Sequence, residues 1–173
     1  MSNPNQPFGF RPVGHLFLDR IPGPRPYVLT AGQVIYLHDP VIVTNAGTVS
    51  ISAAGQTTTH LGICAGYVND GGSVGGKEIL VYDDPNIIYA VQVKTTVTVS
   101  QTHIFNSADH ITYATGHTTS PYESIMALDT PGTSSKPWKI LGLYKYPNNA
   151  FGDSAIVEVI YNQHYMFAAN AGV

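Results

Sequence analysis

Residues 77–99 read KEILVYDDPNIIYAVQVKTTVTV, and the alternation within them decides the fold class. From Ile87 onward every odd position (Ile87, Tyr89, Val91, Val93, Thr95, Val97, Val99) is β-branched or aromatic, while Ile88, Ala90, Gln92 and Lys94 pass from apolar to polar. A period of two with one apolar face marks a strand buried on one side and partly wet on the other. The apolar run at 79–82 is broken off by Asp83-Asp84-Pro85-Asn86, because proline has no amide to donate and Asp and Asn favour turns. Two strands are therefore predicted, at 78–82 and 87–99, joined by a hairpin or a sheet corner.

Working outward, short strand candidates recur at 33–37, 41–44, 48–53 and 60–68, punctuated by His38-Asp39-Pro40, Asn45-Ala46-Gly47 and Asn69-Asp70-Gly71-Gly72. Such spacing belongs to sandwiches and barrels. Beyond Ser100 the pattern loosens into a His-, Thr-, Ser- and Asn-rich stretch, 102–123, in which only 111–113 reads as strand, so a long surface excursion is expected. Order returns at 124–128, 138–144 and 155–161; in the last, Val157, Val159 and Tyr161 alternate with Ile156, Glu158 and Ile160. The sequence predicts an all-β chain, a compact β-sandwich or barrel of jelly-roll or β-tulip-like form, with no helix beyond a turn or two and no internal repeat. With 173 residues, one β domain over 27–173 suffices. Tyr165, Met166 and Phe167 make the tail 164–173 too apolar for a free end, so it is expected to dock and to serve an oligomer contact.

Residues 1–26 stand apart. Pro4, Pro7, Pro12, Pro22, Pro24 and Pro26 are half of the 12 prolines, which forbids a helix and favours an extended arm. All three arginines, Arg11, Arg20 and Arg25, lie there against a single acid, Asp19, so a basic arm precedes an acidic body. Opposite charges invite contact with the chain's own domain or with a neighbour, and the neighbour is the expectation.

Charged residues make up 11% of the chain, against about 25% in ordinary soluble proteins, and hydroxyl-bearing residues, Asn, Gly and 11 Tyr replace them. That composition fits a protein packed against other subunits, and equally a β protein with many turns. Cys64 is the sole cysteine, so no internal disulfide forms; within the apolar run 61–68 it is expected to be a buried, inert thiol. No apolar run of about 18 residues occurs and the start is polar, so neither a membrane span nor a signal peptide is expected, and a soluble product, intracellular where it is made, is the expectation.

Reactive constellations are sparse. GGSVGGKE at 71–78 has the glycine and lysine spacing of a phosphate loop, but Glu78 replaces the hydroxyl residue and a strand follows in place of a helix, so a hairpin loop is expected. His103, His110 and His117 recur every seven residues without HxH, HxxxH or CxxC pairing, which predicts titrating loop histidines rather than a metal site. Adjacent Asp83 and Asp84 would face opposite ways and are expected to cap the turn before Pro85. No GxSxG elbow is present, and eight basic residues on a net −3 chain cannot lay down a nucleic-acid footprint. Trp138 is either a contact anchor or a core residue. No catalytic residue, cofactor or metal is expected.

Several stretches taken in order resemble the small head-decoration, or capsid-cement, proteins of tailed bacteriophages. They are Pro7-Phe8-Gly9-Phe10-Arg11-Pro12-Val13; Asp39-Pro40-Val41; Leu61-Gly62-Ile63 with Gly66-Tyr67; Val81-Tyr82-Asp83-Asp84-Pro85 with Tyr89 and Val91-Gln92; Ile140-Leu141-Gly142-Leu143; Asn149 with Gly152; and Val159-Ile160 with Asn162 and His164. The chain departs from the family pattern at Val99-Ser100-Gln101-Thr102, where relatives carry a Val-Gly-x-Asn turn, so no role is transferred to the loop beyond it. The resemblance implies a non-enzymatic, β-rich homotrimer on the outer surface of the virion head, clamping major capsid protein subunits against the pressure of packaged DNA. On that basis the arm supplies the capsid contact, through Phe8, Phe10, Arg11, Arg20, Arg25 and Tyr27. The alternative is a head-fibre or receptor- or carbohydrate-binding β module, with Tyr67, Tyr113, Tyr122 and His117 as saccharide platforms. A hydrolase is a third class, for which no nucleophile-base pair can be named.

Overall fold

The computed structural model describes residues 3–55, 59–71, 75–112 and 122–167. In chain order the strands are β1 (Arg11–His15), β2 (Arg25–Val28), β3 (Val34–Ile35), β4 (Pro40–Val43), β5 (Val49–Ile51), β6 (Gly62–Cys64), β7 (Val68–Asn69), β8 (Glu78–Tyr82), β9 (Ile87–Gln92), β10 (Ser107–Ala108), β11 (His110–Thr112), β12 (Met126–Leu128), β13 (Trp138–Leu143) and β14 (Ile156–Tyr161). Among the described residues the helical content is one 3₁₀ turn, Gln101–His103. The chain is all-β, as its alternation predicts.

Two five-stranded sheets, ordered β1-β9-β14-β13-β10 and β2-β8-β6-β4-β5, are accompanied by the pairs β11-β12 and β3-β7. β8 and β9 belong to different sheets, so Asp83-Asp84-Pro85-Asn86 is a sheet corner and not a hairpin. At β6 the second sheet is buried on both faces, while most of β2 and alternate residues of β8 are exposed. Ile63, with Ile51 and Tyr82 beside it, joins the core of the first sheet, whereas Cys64, Val81, Ile79 and Val41 pack with Leu29 and Ile35 beneath. Strand β6 runs so close to β8 that a Cβ at Gly62 would lie 2.2 Å from the Tyr82 carbonyl oxygen, which is why glycine stands there.

The first sheet's core is aromatic. Trp138 lies 4.1 Å, centroid to centroid, from Phe10 in a stacked arrangement and 4.3 Å from Tyr161, and Tyr89 meets both Trp138 and Tyr161 edge-on. Trp138 is therefore a core residue. Offset and edge-on contacts of this kind add to the burial of large aromatic area.

Phe10 is fully buried, which corrects its assignment to a capsid contact. Residues 3–15 are woven into their own domain. Asn3 donates to the Ala150 and Asp153 carbonyls, and buried Gln92 accepts from the Gln6 amide while donating to the Pro4 and Ser154 carbonyls. Gly9 and Phe10 donate to Met126 and His38, and β1 forms the edge of the first sheet against β9. At φ +72, Gly9 sits where a Cβ would come within 2.6 Å of the His38 carbonyl oxygen and 2.5 Å of the Ser124 side chain. The prolines do not prevent this, because Pro12 and Pro26 lie on edge strands, where a missing amide costs no ladder bond.

Other boundaries moved for local reasons. The strand predicted to Val99 ends at Gln92, because the Lys94 amide turns to the Leu128 carbonyl and its ammonium pairs with Asp129; Val97 and Val99 still alternate into the core. Gln92, read as part of the wetter face, is buried with its amide group bonded. His110 is no titrating loop residue: it lies fully buried on β11, and burial holds it below the ordinary imidazole range. His103 completes the 3₁₀ turn after Ser100, its Nδ1 accepting the Ser100 amide. The Cys64 thiol is buried and pushed up to about 12 by that burial.

Phe10→Ala is expected to cost about 3–5 kcal/mol, the penalty of an emptied aromatic site, measured as a lower urea midpoint at unchanged m-value. Removal of residues 1–15 is expected to abolish cooperative unfolding altogether, as read by calorimetry.

Candidate functional site

The pairings β1-β9 and β2-β8 fix the route of the chain between β1 and β2. Because β8 and β9 are joined across the sheet corner, residues 16–24 must round that same corner on the outside. The Leu16 amide donates to the Asn86 carbonyl at 3.0 Å, which ties the two turns together.

His15 organises the start of this loop. Its Nδ1 accepts the amides of Phe17 at 3.0 Å and Leu18 at 3.1 Å, so the ring proton resides on Nε2 and is donated to Asp84 at 3.2 Å. Asp84 in turn accepts the Asn86 amide at 2.8 Å, which caps the turn as the sequence predicts. Burial pushes the Asp84 carboxyl up, but the Asn86 amide and His15 outweigh it and hold the group below the ordinary value. Asp83 points the other way. It is almost wholly buried, takes Arg25 Nη2 at 2.7 Å and accepts the Tyr27 hydroxyl. Tyr27 is pushed up to about 12, first by burial and then by that bond. The two adjacent carboxylates are thus pins for the corner, one for each sheet's connection.

The outcome is a fixed loop bearing three large apolar side chains in water. Leu16, Phe17 and Leu18 are 45%, 78% and 50% exposed, whereas Ile21 packs back against the core. Scattered exposed apolar residues are ordinary, but here three in succession stand on a backbone pinned by the His15 imidazole, a contiguous apolar surface held in place.

Of the residues assigned to the arm, Arg20 is exposed next to this run, Arg25 and Tyr27 converge on Asp83, and Arg11 lies on the edge strand with its guanidinium 4.7 Å over the Phe8 ring. Phe10 is in the core. Sequence reasoning missed Leu16, Phe17 and Leu18, although an unbroken apolar triplet in a proline-rich basic segment was the signal for them. In the tail, Met166 and Phe167 are exposed and Tyr165 is half-buried. Tyr67 and Tyr122 meet at 4.9 Å with Tyr36 at 5.6 Å from Tyr67, while Tyr113 and His117 lie outside the described residues. In the glycine loop, Lys77 is spent on the Asn69 carbonyl and residues 72–74 lie outside the described residues.

No protein-family model matches this chain, and no curated protein matches its sequence.

His15→Ala removes the acceptor of two amides, each worth about 1 kcal/mol. Hydrogen exchange at Phe17 and Leu18 is expected to accelerate about tenfold or more while β14 amides stay protected, measured by mass spectrometry after peptic digestion.

Proposed function

We propose that this protein is a structural virion component, a decoration or cement protein on the outer surface of a tailed-phage head, joining neighbouring major capsid protein subunits. The observation that carries the reading is Phe17, 78% exposed on a backbone whose amide is bonded to the imidazole of His15. The resemblance spread along the chain points to the same role. Contact is made by the corner loop, with Leu16, Phe17 and Leu18 seated in an apolar pocket and Arg20 toward acidic neighbours. A homotrimer multiplies a modest single contact, because once one copy of the loop is bound the others face their sites at high effective concentration.

A second reading, a saccharide-binding module, draws on the Tyr36, Tyr67 and Tyr122 rings, brought together from distant points of the chain with Tyr67 and Tyr122 37% and 57% exposed. A glycan-array signal that disappears in Tyr67→Ala and Tyr122→Ala would move the function there.

The decisive experiment is co-sedimentation with phage heads stripped of the protein. Phe17→Ser is expected to weaken binding by about 30-fold or more, the loss of a hot spot of about 2 kcal/mol, with an unchanged melting temperature. Wild-type occupancy by Phe17→Ser would remove the corner from the interface.

A further inference from the structure

Three histidines far apart in sequence, His60, His110 and His164, are all fully buried at the margin of the aromatic core. The His60 ring lies 5.2 Å from His110 and 6.1 Å from Tyr161, and Tyr161 lies 4.9 Å from His164. The hydrogen bonds of His110 and His164 fix the protonation state of those two rings. His110 donates from Nε2 to the Ser52 carbonyl and takes the Trp138 indole N–H on Nδ1. His164 donates from Nε2 to the Leu61 carbonyl at 2.6 Å and takes the Met166 amide on Nδ1 at 3.1 Å. In both of these rings Nδ1 faces an N–H donor, so a second ring proton would set donor against donor inside the fold.

The two rings differ in what each can do about that proton. His110 sits on β11, laddered to β12, and cannot leave without stripping the core. His164 belongs to a stretch after β14 that, among the described residues, is held by isolated bonds and no ladder: the His60 amide donates to the Gln163 carbonyl, Tyr165 donates to the His60 carbonyl, Phe167 to His164, and the Gln163 side chain to Ser135. Immediately before it, the amides of Asn162 and Gln163 both donate to the Pro137 carbonyl and the Asn162 side chain donates to the Lys136 carbonyl, which places a hinge between 163 and 164. We propose that residues 164–167 form an acid-released latch, closed by the imidazole of His164 and opened by a proton at its Nδ1, while both sheets stay folded.

Among the described residues, a small set of charged and titratable groups faces this device. Asp83 and Asp84 act on His164 from the sheet corner, Asp109 acts on His110 from β11's approach and is paired with Lys136, and Tyr161 stands between His60 and His164. Burial is the largest influence on His164 and lowers it to about 4; the Leu61 carbonyl and the two aspartates oppose it without prevailing. Once released, the ring returns toward its ordinary value of 6.5. The open form therefore binds the proton more tightly, and the latch is fully held only above that ordinary value. As pH falls from about 6.5 to about 4, opening gains about tenfold for each unit, then levels off.

Hydrogen exchange between pH 7 and pH 4, corrected for the intrinsic exchange rate, tests this. The Tyr165 and Met166 amides are expected to lose protection about tenfold per pH unit, with Val91 and Val159 unchanged. Constant protection at 165 and 166 down to pH 4, or their loss together with Val159, would overturn the latch. His164→Gln, which carries no titrating group there, is expected to abolish the pH step, leaving the segment equally closed or equally open across the range. A step that persists in His164→Gln would also overturn it.

Discussion

The stack of Phe10 on Trp138 is the contact on which the rest of the architecture depends. Phe10 enters the core at the point where the amino-terminal segment, tethered by Gln92 and squeezed past Ser124 at Gly9, becomes the edge strand β1. With β1 fixed against β9 and β2 against β8, the chain between them has a single route, around the outside of the corner at 83–86. Closing the core and projecting Leu16, Phe17 and Leu18 are therefore two consequences of one constraint. The same segment stabilises the sandwich with one end and presents an apolar surface with the other.

How much of this was legible depends on the range of the interactions. Strands β8, β9, β13 and β14 stand out because each is a local run of alternating or continuous apolar residues buried by its neighbours. β1 and β2 were hidden by Pro12 and Pro26, since a proline in sequence argues against a strand unless the strand is known to lie at an edge. Burial of Phe10, Gln92 and His110 was equally invisible: each is matched by partners dozens of residues away, and no local pattern specifies such pairs. The corner site was half legible. Asp83 and Asp84 announced the turn, but the pairing of one with Arg25 and of the other with His15 depends on how two sheets meet.

Scarcity of charge gives those carboxylates their importance. In a chain with 11% charged residues, electrostatic positioning must be done by a few groups used at short range. Asp83 and Asp84 each carry two or more hydrogen bonds, and each satisfies donors from a segment distant in sequence. Buried acceptors with several donors are costly to disturb, because removing them strands the partner groups as well. Their adjacency places one on each side of the corner, so a single dipeptide holds both the connection 16–24 and the start of β2.

A rigid corner and a free arm would make very different contacts. Ordering a flexible segment costs about 1–2 kcal/mol per residue of backbone freedom, so an arm of some two dozen residues would consume most of what its side chains contribute on binding. Here that ordering is completed when the domain folds: residues 3–15 are already bonded, and His15 holds the amides of Phe17 and Leu18. Little remains to be fixed on docking beyond a few side-chain rotamers. Three apolar side chains bury only a small area, which yields a weak individual contact. Pre-organisation would let such a contact keep nearly all its gain, and in the proposed role repetition within an oligomer would supply the durability that no single loop of this size could provide.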